Sequence, residues 1–382
     1  MPLSSAALRP LLRLGLVPGV GSQRLAFLIR HFGSAERALA APARELRALP
    51  RMGDALAGRM ADQSGPEAEE RVDSALDALH RAGAVALTPD DLAYPDGFRV
   101  LPDPPFLLFA AGRLELLSAP AVAVVGTRAP TRYGREAAAS LSAALSRAGY
   151  AVVSGMARGI DTTAHAAALQ AGGGTVGVLG HGIDQVYPPE NAELFSRVAA
   201  EGLLLSDYLP GERPKAGNFP RRNRLIAALS RGVLVVEMGL KSGAQHTVTY
   251  ALEQGIEVMA VPGPIGAVTS AGTNQLIKEG ARVVTSAEDV LEELQGVGET
   301  SAPPLRRPAP PSPPQPDLPL LTPDETSVLA AFGADSLHVD ELSARTSLAP
   351  GALLATLLAL ELKGAVEAMP GKVYRAGVGV NR

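Results

Sequence analysis

Short apolar segments alternate with helical segments over residues 120 to 295, and this alternation restricts the fold more than any other feature. Each apolar segment is continuous, which is typical of strands covered on both faces. The pattern predicts a Rossmann-like, doubly wound α/β fold with a mostly parallel sheet. Two weaker segments, 85–88 and 106–111, are predicted to extend this sheet. The main predicted strands are residues 121–126, 150–154, 175–180, 203–206, 232–237, 257–263 and 281–284.

The rest of the 382-residue chain is predicted to form further units. Ten of the 32 prolines fall between Pro303 and Pro323. Such a segment cannot pair its backbone, so we expect an extended spacer. Beyond it, a pattern of helices followed by a β wing predicts a winged helix. The predicted units are a small all-α domain of helix-hairpin-helix or SAM-like type over 1–80, the Rossmann-like core over 81–296, a Pro-rich linker over 297–320 and a winged-helix domain over 321–382.

The predicted helical domain contains an internal repeat. VPGVGSQRLA at 17–26 aligns with LPRMGDALAG at 49–58, an offset of 32 residues. Each copy has a Pro-x-x-Gly turn followed by a helix-compatible stretch. Turns of this kind either offer backbone N–H groups to DNA phosphates or only connect packed helices, and the sequence leaves both roles open.

The composition excludes several kinds of site. The chain has no cysteine, so disulfides, thiolate zinc sites and cysteine nucleophiles are excluded. Arg9 and Arg13 interrupt the apolar N-terminal segment, and no run of about 18 apolar residues is present. We therefore expect a soluble, cytoplasmic protein with no signal peptide and no membrane association. We also expect no bound metal and no cofactor.

Positive charge is concentrated in one segment. The net charge of −4 is unfavourable for nucleic-acid binding, but a sum over the chain hides local fields. Residues 213–231 carry six basic residues and no acidic one, and Phe219 lies among them. An aromatic ring beside cations suits single-stranded nucleic acid, because bases stack on the ring while cations contact phosphates. The alternative is that Phe219 anchors a helix and the arginines are solvated.

Nucleotide-binding and catalytic motifs are incomplete. After the first main strand, Gly126 is followed by no glycine until Gly134, so a dinucleotide fingerprint is missing. Leu240 stands where a P-loop requires glycine. Asp161 and His165 are spaced i, i+4, which could suit a metal or an acid–base pair. A helix cap and a histidine bonded to a neighbouring segment are the more common interpretation.

Six ordered motifs of the predicted core resemble those of the DNA-processing protein A family, DprA, also called Smf. The resemblance covers about residues 100 to 290. The family's usual S-G-S-L-x-T reads SGAQHT here, which leaves the base preference of that loop open. The motifs are VVGTR with the following YG, SGMARGIDTTAHAAAL, GGGTVGVLGHGIDQVYPPEN, FPRRNRLIAALS, SGAQHT and AVPG.

The resemblance implies a non-enzymatic protein of natural transformation. Such a protein binds and protects incoming single-stranded DNA, forms a homodimer and helps load the recombinase RecA. Whether the terminal domains also bind double-stranded DNA stays open, although five basic and seven acidic residues over 320–382 favour a protein contact for the winged helix. The residues expected to contact DNA are Arg128, Ser154, Gly155, Lys215, Phe219, Arg221, Arg222, Asn223, Arg224, Lys241, Ser242 and Gly243.

The expected homodimer has a candidate interface after the sixth main strand. Ile265, Val268, Leu276 and Ile277 lie around glycine turns there. Apolar side chains exposed on one patch favour two-fold self-association. The alternative is that all four side chains pack on their own sheet.

A second function class is a Rossmann-like hydrolase that acts on a small nucleotide. Such phosphoribohydrolases are marked by a P-G-G-x-G-T loop with a nearby catalytic glutamate. Here the glycines at 172–174 precede a strand, and no acidic residue follows the Gly-Thr pair. The sequence therefore favours DNA binding over this alternative.

Overall fold

The structure is a computed structural model that describes residues 3–50, 52–298, 322–332, 337–346, 348–362, 366–369 and 373–376. The chain divides into two compact units, Met1–Ala302 and Pro303–Arg382. The predicted Pro-rich linker lies outside the described residues from residue 299 onward, and its first two residues end a helix. The domain boundaries therefore remain predictions.

The N-terminal part of the first unit is helical. Ser4 and Ser34 start two of its helices, because their hydroxyls accept hydrogen bonds from main-chain amides three residues later. Gly33 ends another helix in the left-handed conformation, with φ of 83°. The helices pack around leucines that include Leu12 and Leu28. They are α1 Ser5–Gly15, α2 Ser22–Phe32, α3 Ala35–Ala40, α4 Ala43–Arg47, α5 Asp54–Ala61 and α6 Pro66–Arg81.

The described residues of the core form a nine-stranded sheet with the order β1-β2-β6-β5-β4-β3-β7-β8-β9. Strand β2 pairs antiparallel with β1 and β6, and every other pair is parallel. The mostly parallel fold is thereby confirmed, and each predicted strand is present: 203–206 keeps its bounds, the two weaker strands are shifted by one or two residues, and the others are shorter. The strands are β1 Ala84–Leu87, β2 Leu108–Gly112, β3 Ala121–Val125, β4 Ala151–Ser154, β5 Thr175–Val178, β6 Leu203–Ser206, β7 Gly232–Val235, β8 Glu257–Ala260 and β9 Arg282–Val283.

Helices cover both faces of the sheet, which explains the continuous apolar strands. Val122 and Val124 pack in one buried cluster, whereas Ala123 and Val125 of the same strand pack in another on the opposite face. The core helices are α7 Asp96–Arg99, α8 Arg132–Arg147, α9 Ile160–Gln170, α10 Ala192–Glu201, α11 Asn218–Ala228, α12 Ala244–Glu253, α13 Ala271–Lys278 and α14 Ala287–Gly298.

Strand β3 occupies the position where the strand order reverses. It pairs with β4 on one side and with β7 on the other. In doubly wound sheets, ligands bind beyond the carboxyl ends of the strands at this reversal. A ligand site is therefore expected between the loops after β3 and β7.

The second unit has the helices and antiparallel strands of a winged helix. Its strands pair in the order β10-β12-β11, and Phe332, Leu342 and Leu357 lie in its buried cluster. Leu354 and Leu358, four residues apart, are exposed on the third helix. The elements are α15 Pro323–Phe332, β10 Leu337–His338, α16 Val339–Thr346, α17 Pro350–Leu362, β11 Val366–Met369 and β12 Val373–Ala376.

No single helix within the described ranges is long and apolar enough to cross a membrane. One pair, Val339–Thr346 with Pro350–Glu361, meets the length and composition criteria together but is bent by 109°.

Candidate nucleic-acid interface

A groove of about 600 Å³ lies at the carboxyl ends of β3 and β7. The loop after β3 forms one wall with Thr127 and Arg128, and the loop after β7 contributes residues 241–243. Phe219 and Asn223, from the start of α11, complete the wall between them. This is the place where the sheet topology predicts a ligand.

Phe219 lies in an aromatic cluster within this groove. Its ring centroid is 5.3 Å from that of Tyr187, with the planes tilted by 34°. The guanidinium carbon of Arg128 lies 6.0 Å from the Phe219 centroid, within cation–π range. Gly180 allows the ring to approach the main chain, because a Cβ there would lie 2.9 Å from Phe219 Cδ1. The cluster therefore joins two rings and a cation on one wall.

Tyr187 was missed by sequence reasoning. It comes from the loop after β5, 32 residues before Phe219 in the chain. It lines the groove and is 37% exposed. Its position in the loop after a core strand could have marked it, since that loop belongs to the ligand-binding edge of the sheet.

Two cations of the groove carry unneutralised charge. Arg128 and Lys241 are exposed, and neither forms an ion pair with any carboxylate in the described part of the chain. The hydroxyl of Ser242 accepts a hydrogen bond from the Ala244 amide at 3.3 Å, at the start of α12. Asn223 and Gly243 also line the groove, and the Asn223 amide reaches the Gly243 carbonyl at 3.4 Å. These residues form a polar, positively charged edge.

The loop after β3 is fixed by a buried glutamate that the sequence did not indicate. Glu237 is buried two residues after the end of β7, and its Oε2 accepts a hydrogen bond from the Thr131 amide at 2.8 Å. Its carbonyl accepts another from the Thr127 amide at 2.7 Å. Gly134 leaves room for this carboxylate, because a Cβ there would clash with Glu237 Oε2. Arg128 is therefore presented by an anchored loop.

Arg222, expected to contact DNA, lines the floor of the groove but is only 4% exposed. Its guanidinium donates hydrogen bonds to the carbonyls of Gly155 and Val178. Burial lowers its pKa to about 10, although the nearby Asp161 opposes that shift. The side chain thus supports two strand ends, β4 and β5, rather than facing solvent.

Arg224 is also buried. It forms an ion pair with Asp207 at 2.7 Å, and the two side chains are only 8% and 7% exposed. Burial raises the pKa of Asp207, and the guanidinium opposes that shift. Phosphate contact by Arg224 would require this pair to open.

Ser154 and Gly155 also form hydrogen bonds within the protein interior. The Ser154 hydroxyl donates to the Val124 carbonyl at 2.7 Å, and the Gly155 amide donates to Asp161 Oδ2 at 3.0 Å. Asp161 therefore fixes the loop after β4. His165 bonds instead to Thr175 at 2.7 Å. Burial lowers the His165 pKa to about 3, so this histidine is neutral.

Arg221 and Lys215 are exposed, and each forms an ion pair. Arg221 forms an ion pair with Asp103 at 2.9 Å, and Lys215 forms one with Glu212 at the same distance. Neither lines the groove beside Phe219; both line a second cavity next to it. The structure therefore separates them from Arg128 and Lys241.

The residues of the candidate dimer interface are divided by the fold. Ile265 and Val268 are 98% and 82% exposed, and Val268 also lines the groove. Leu276, on α13, is buried in the core, and Ile277 packs partly against the same cluster. Only the first two offer a free apolar surface.

A metal site is not evident in the described ranges, where no three His, Asp or Glu side chains are grouped to hold an ion.

The chain is similar to known proteins over both units. Residues 85–295 match the family described as DNA recombination-mediator protein A, and residues 308–372 match the DprA winged helix domain. Protein Smf of Escherichia coli is 39% identical over 305 residues, which is 80% of each chain.

Two solved structures agree with this similarity. DNA processing protein A from Streptococcus pneumoniae has a TM-score of 0.59 at 36% identity, covering 77% of this chain and 99% of its own. DNA processing protein A from Helicobacter pylori, described for its single-stranded DNA binding mode, has a TM-score of 0.51 at 32% identity. It covers 55% of this chain and 96% of its own.

Proposed function

The chain belongs to the DNA recombination-mediator protein A family, and we propose that it binds single-stranded DNA in the groove beside Phe219. The observation that carries this proposal is the groove in which two aromatic rings and Arg128 share one wall, while Lys241, also without an ion pair in the described chain, lies on the loop after β7. Bases stack on aromatic faces and phosphates follow cations, which is how proteins hold single strands without reading sequence. The Helicobacter pylori relative described as binding single-stranded DNA supports the same ligand.

Ten of the expected contact residues divide into two groups under this proposal, and the other two, Lys215 and Arg221, line the neighbouring cavity instead. Arg128, Phe219, Asn223 and residues 241–243 face the groove and would touch DNA. Arg222, Arg224, Ser154 and Gly155 would act indirectly, since their hydrogen bonds hold the loops that form the walls. Tyr187 joins the first group as a second stacking surface.

Bound DNA would compete with the protein's own cation–π contact. Arg128 lies over the Phe219 ring in the free chain. A phosphate draws the guanidinium toward itself, and the ring face that it leaves becomes available to a base. Stacking and phosphate contact would then form together.

The wider role that we propose is that of a recombination mediator in natural transformation. It would protect incoming single strands, act as a homodimer and help load RecA. Exposed Ile265 and Val268 are the best candidates for the self-association surface. On the winged helix, exposed Leu354 and Leu358 support contact with a protein over contact with duplex DNA.

We propose action by binding and not by catalysis. Asp161 and His165 are both buried and are held by separate partners. The low pKa of His165 makes it a poor proton acceptor at neutral pH. These features disfavour the nucleotide hydrolase.

Fluorescence polarisation of labelled oligo-dT separates the two functions. We expect saturable binding that unlabelled oligo-dT displaces and that AMP and ATP do not. Phe219→Ala should weaken the complex, whereas Tyr133→Ala, which removes an exposed tyrosine outside the groove, should not. Displacement by AMP at matched concentration, or no binding to oligo-dT, would contradict the proposal.

A further inference from the structure

A second cavity, of about 760 Å³, lies between the N-terminal helices and the segment that precedes α11. One wall is the first Pro-x-x-Gly turn, Pro18–Gly21, and the opposite wall is a face of α6. The third wall belongs to the core and includes Lys215 and Asn218. None of these residues lines the groove described above.

The two cavities are separated by one thin stretch of chain. Asn218 lines the second cavity, and the next residue, Phe219, lines the groove. In the same way, Lys215 lines the second cavity and Ala216 lines the groove. A strand leaving the Phe219 wall therefore reaches the second cavity by crossing residues 214–219.

Two arginines of the α6 wall form no ion pair in the described part of the chain. Arg71 and Arg81 lie ten residues apart on the cavity-lining face, about 15 Å along the helix axis. Both are exposed, and neither forms an ion pair with a described carboxylate, although the Arg71 guanidinium donates a hydrogen bond to Gln63 Oε1 at 3.1 Å. By contrast, the carboxylates of the lining already have partners: Glu212 bonds to Lys215, Asp207 to Arg224, and Asp184 to the Gly211 amide.

The turn opposite α6 adds main-chain donors. Helix α2 begins at Ser22 without a side-chain cap and without an acidic residue in its first turn. Its first amides have no partner within the helix. The turn is held in place by Arg59, which donates to the Pro18 carbonyl at 3.0 Å, and Gly19 takes a φ of 98° that favours glycine.

Two polar groups of the core wall also lack partners. Asp207 Oδ1 and Asn218 Nδ2 are buried and make no hydrogen bond within the described chain, and the same holds for Nε and Nη1 of Arg224, the ion-pair partner of Asp207. Asp207 and Asn218 belong to the cavity lining, and the Asp207 side chain is more than nine-tenths buried. A nucleobase edge presents both donors and acceptors. These groups therefore favour a nucleotide over a purely anionic ligand.

We propose that this cavity is a second subsite for the same single strand, so that DNA runs from the Phe219 groove across residues 214–219 to Arg71 and Arg81. The inference rests on the proposed function, because it extends the path of that ligand. It gives the first Pro-x-x-Gly turn a role in DNA contact. The helical N-terminal region would then lengthen the binding site of the core.

An oligo-dT ladder from about 4 to about 16 nucleotides, a range spanned by single-strand-binding folds, tests the path. Full-length Arg71→Gln/Arg81→Gln should bind the shortest bound oligomers as wild type does. For longer oligomers, the affinity of this double variant should not rise with length as that of wild type does. Its slope of log affinity against log salt should fall by about 1.4. Arg30→Gln/Arg44→Gln removes two exposed arginines of the same region outside the cavity and should match wild type at every length.

Two results would overturn the subsite. One is equal affinity of wild type and Arg71→Gln/Arg81→Gln at every length. The other is an equal loss at every length in both double variants, which would indicate general electrostatic attraction. Failure of the groove itself has a different signature, because Phe219→Ala would then bind short and long oligomers as tightly as wild type.

Discussion

The Arg222 guanidinium donates a hydrogen bond to the Gly155 carbonyl at 2.9 Å, from a side chain that is only 4% exposed. It thereby ties α11, which carries Phe219, to the loop after β4. Arg222 thus has the positive charge expected of a phosphate contact, but it holds together the walls of the groove in which DNA is proposed to lie.

Arg222→Ala should lower the free energy of unfolding by about 3 kcal/mol. The change leaves the Gly155 and Val178 carbonyls without their donor and leaves Asp161 buried beside no cation. Urea denaturation measures the difference. Arg213→Ala, an exposed arginine outside the groove, should stay within about 0.5 kcal/mol of wild type. Unchanged stability of Arg222→Ala would contradict the supporting role.

Arg128→Ala and Lys241→Ala should each reduce the slope of log affinity against log salt by roughly 0.7 on single strands, because one phosphate contact is lost. Titrations of labelled oligo-dT at several salt concentrations measure the slope. Arg231→Ala is the matched control, since this exposed arginine lies outside the groove. Slopes equal to wild type in both groove variants would show that these cations are only solvated.

Phe219→Ala should weaken single-strand binding by about 1 to 3 kcal/mol with little change in the salt slope, because stacking and not charge is removed. Tyr187→Leu should behave alike, and Tyr187→Phe should retain most of the affinity. This pair tests whether Tyr187 acts through its ring. If Tyr187→Leu bound as tightly as Tyr187→Phe, the second stacking surface would be excluded.

Burial of His165 should make stability depend on pH. Its folded pKa of about 3 lies below its usual value of 6.5, so the unfolded chain binds a proton more readily. The contribution of neutral His165 is fully present above pH 6.5 and is lost as the pH falls toward 3, by up to about 1.4 kcal/mol per pH unit.

Urea denaturation at several pH values between 7 and 5 measures this effect. His165→Gln should lose less stability on acidification than wild type, whereas His246→Gln, a change at an exposed histidine, should follow wild type. Parallel profiles for wild type and His165→Gln would contradict the assignment.

Much of the fold follows from local pattern alone. Strands buried on both faces need continuous apolar residues, so AVAVV at 121–125 and its counterparts could be located without coordinates. The strand-end rule then indicated the loops that line the groove. Phe219 was identified because an aromatic residue among cations is uncommon in a chain with so few aromatics.

The sequence by itself determined the class of fold and the region of the site, because periodicity and loop position are local properties. Only the tertiary structure decided which cations are free. Arg221, Arg222 and Arg224 lie within four consecutive positions, yet only Arg221 is exposed. Arg222 and Arg224 are buried, and they bond to residues at or just after the ends of β4, β5 and β6. The contact between Tyr187 and Phe219 likewise depends on the tertiary structure, because the two rings come from segments that are distant in the sequence. Burial and partnership depend on which distant segments the sheet order brings together, and no short window of sequence contains that information.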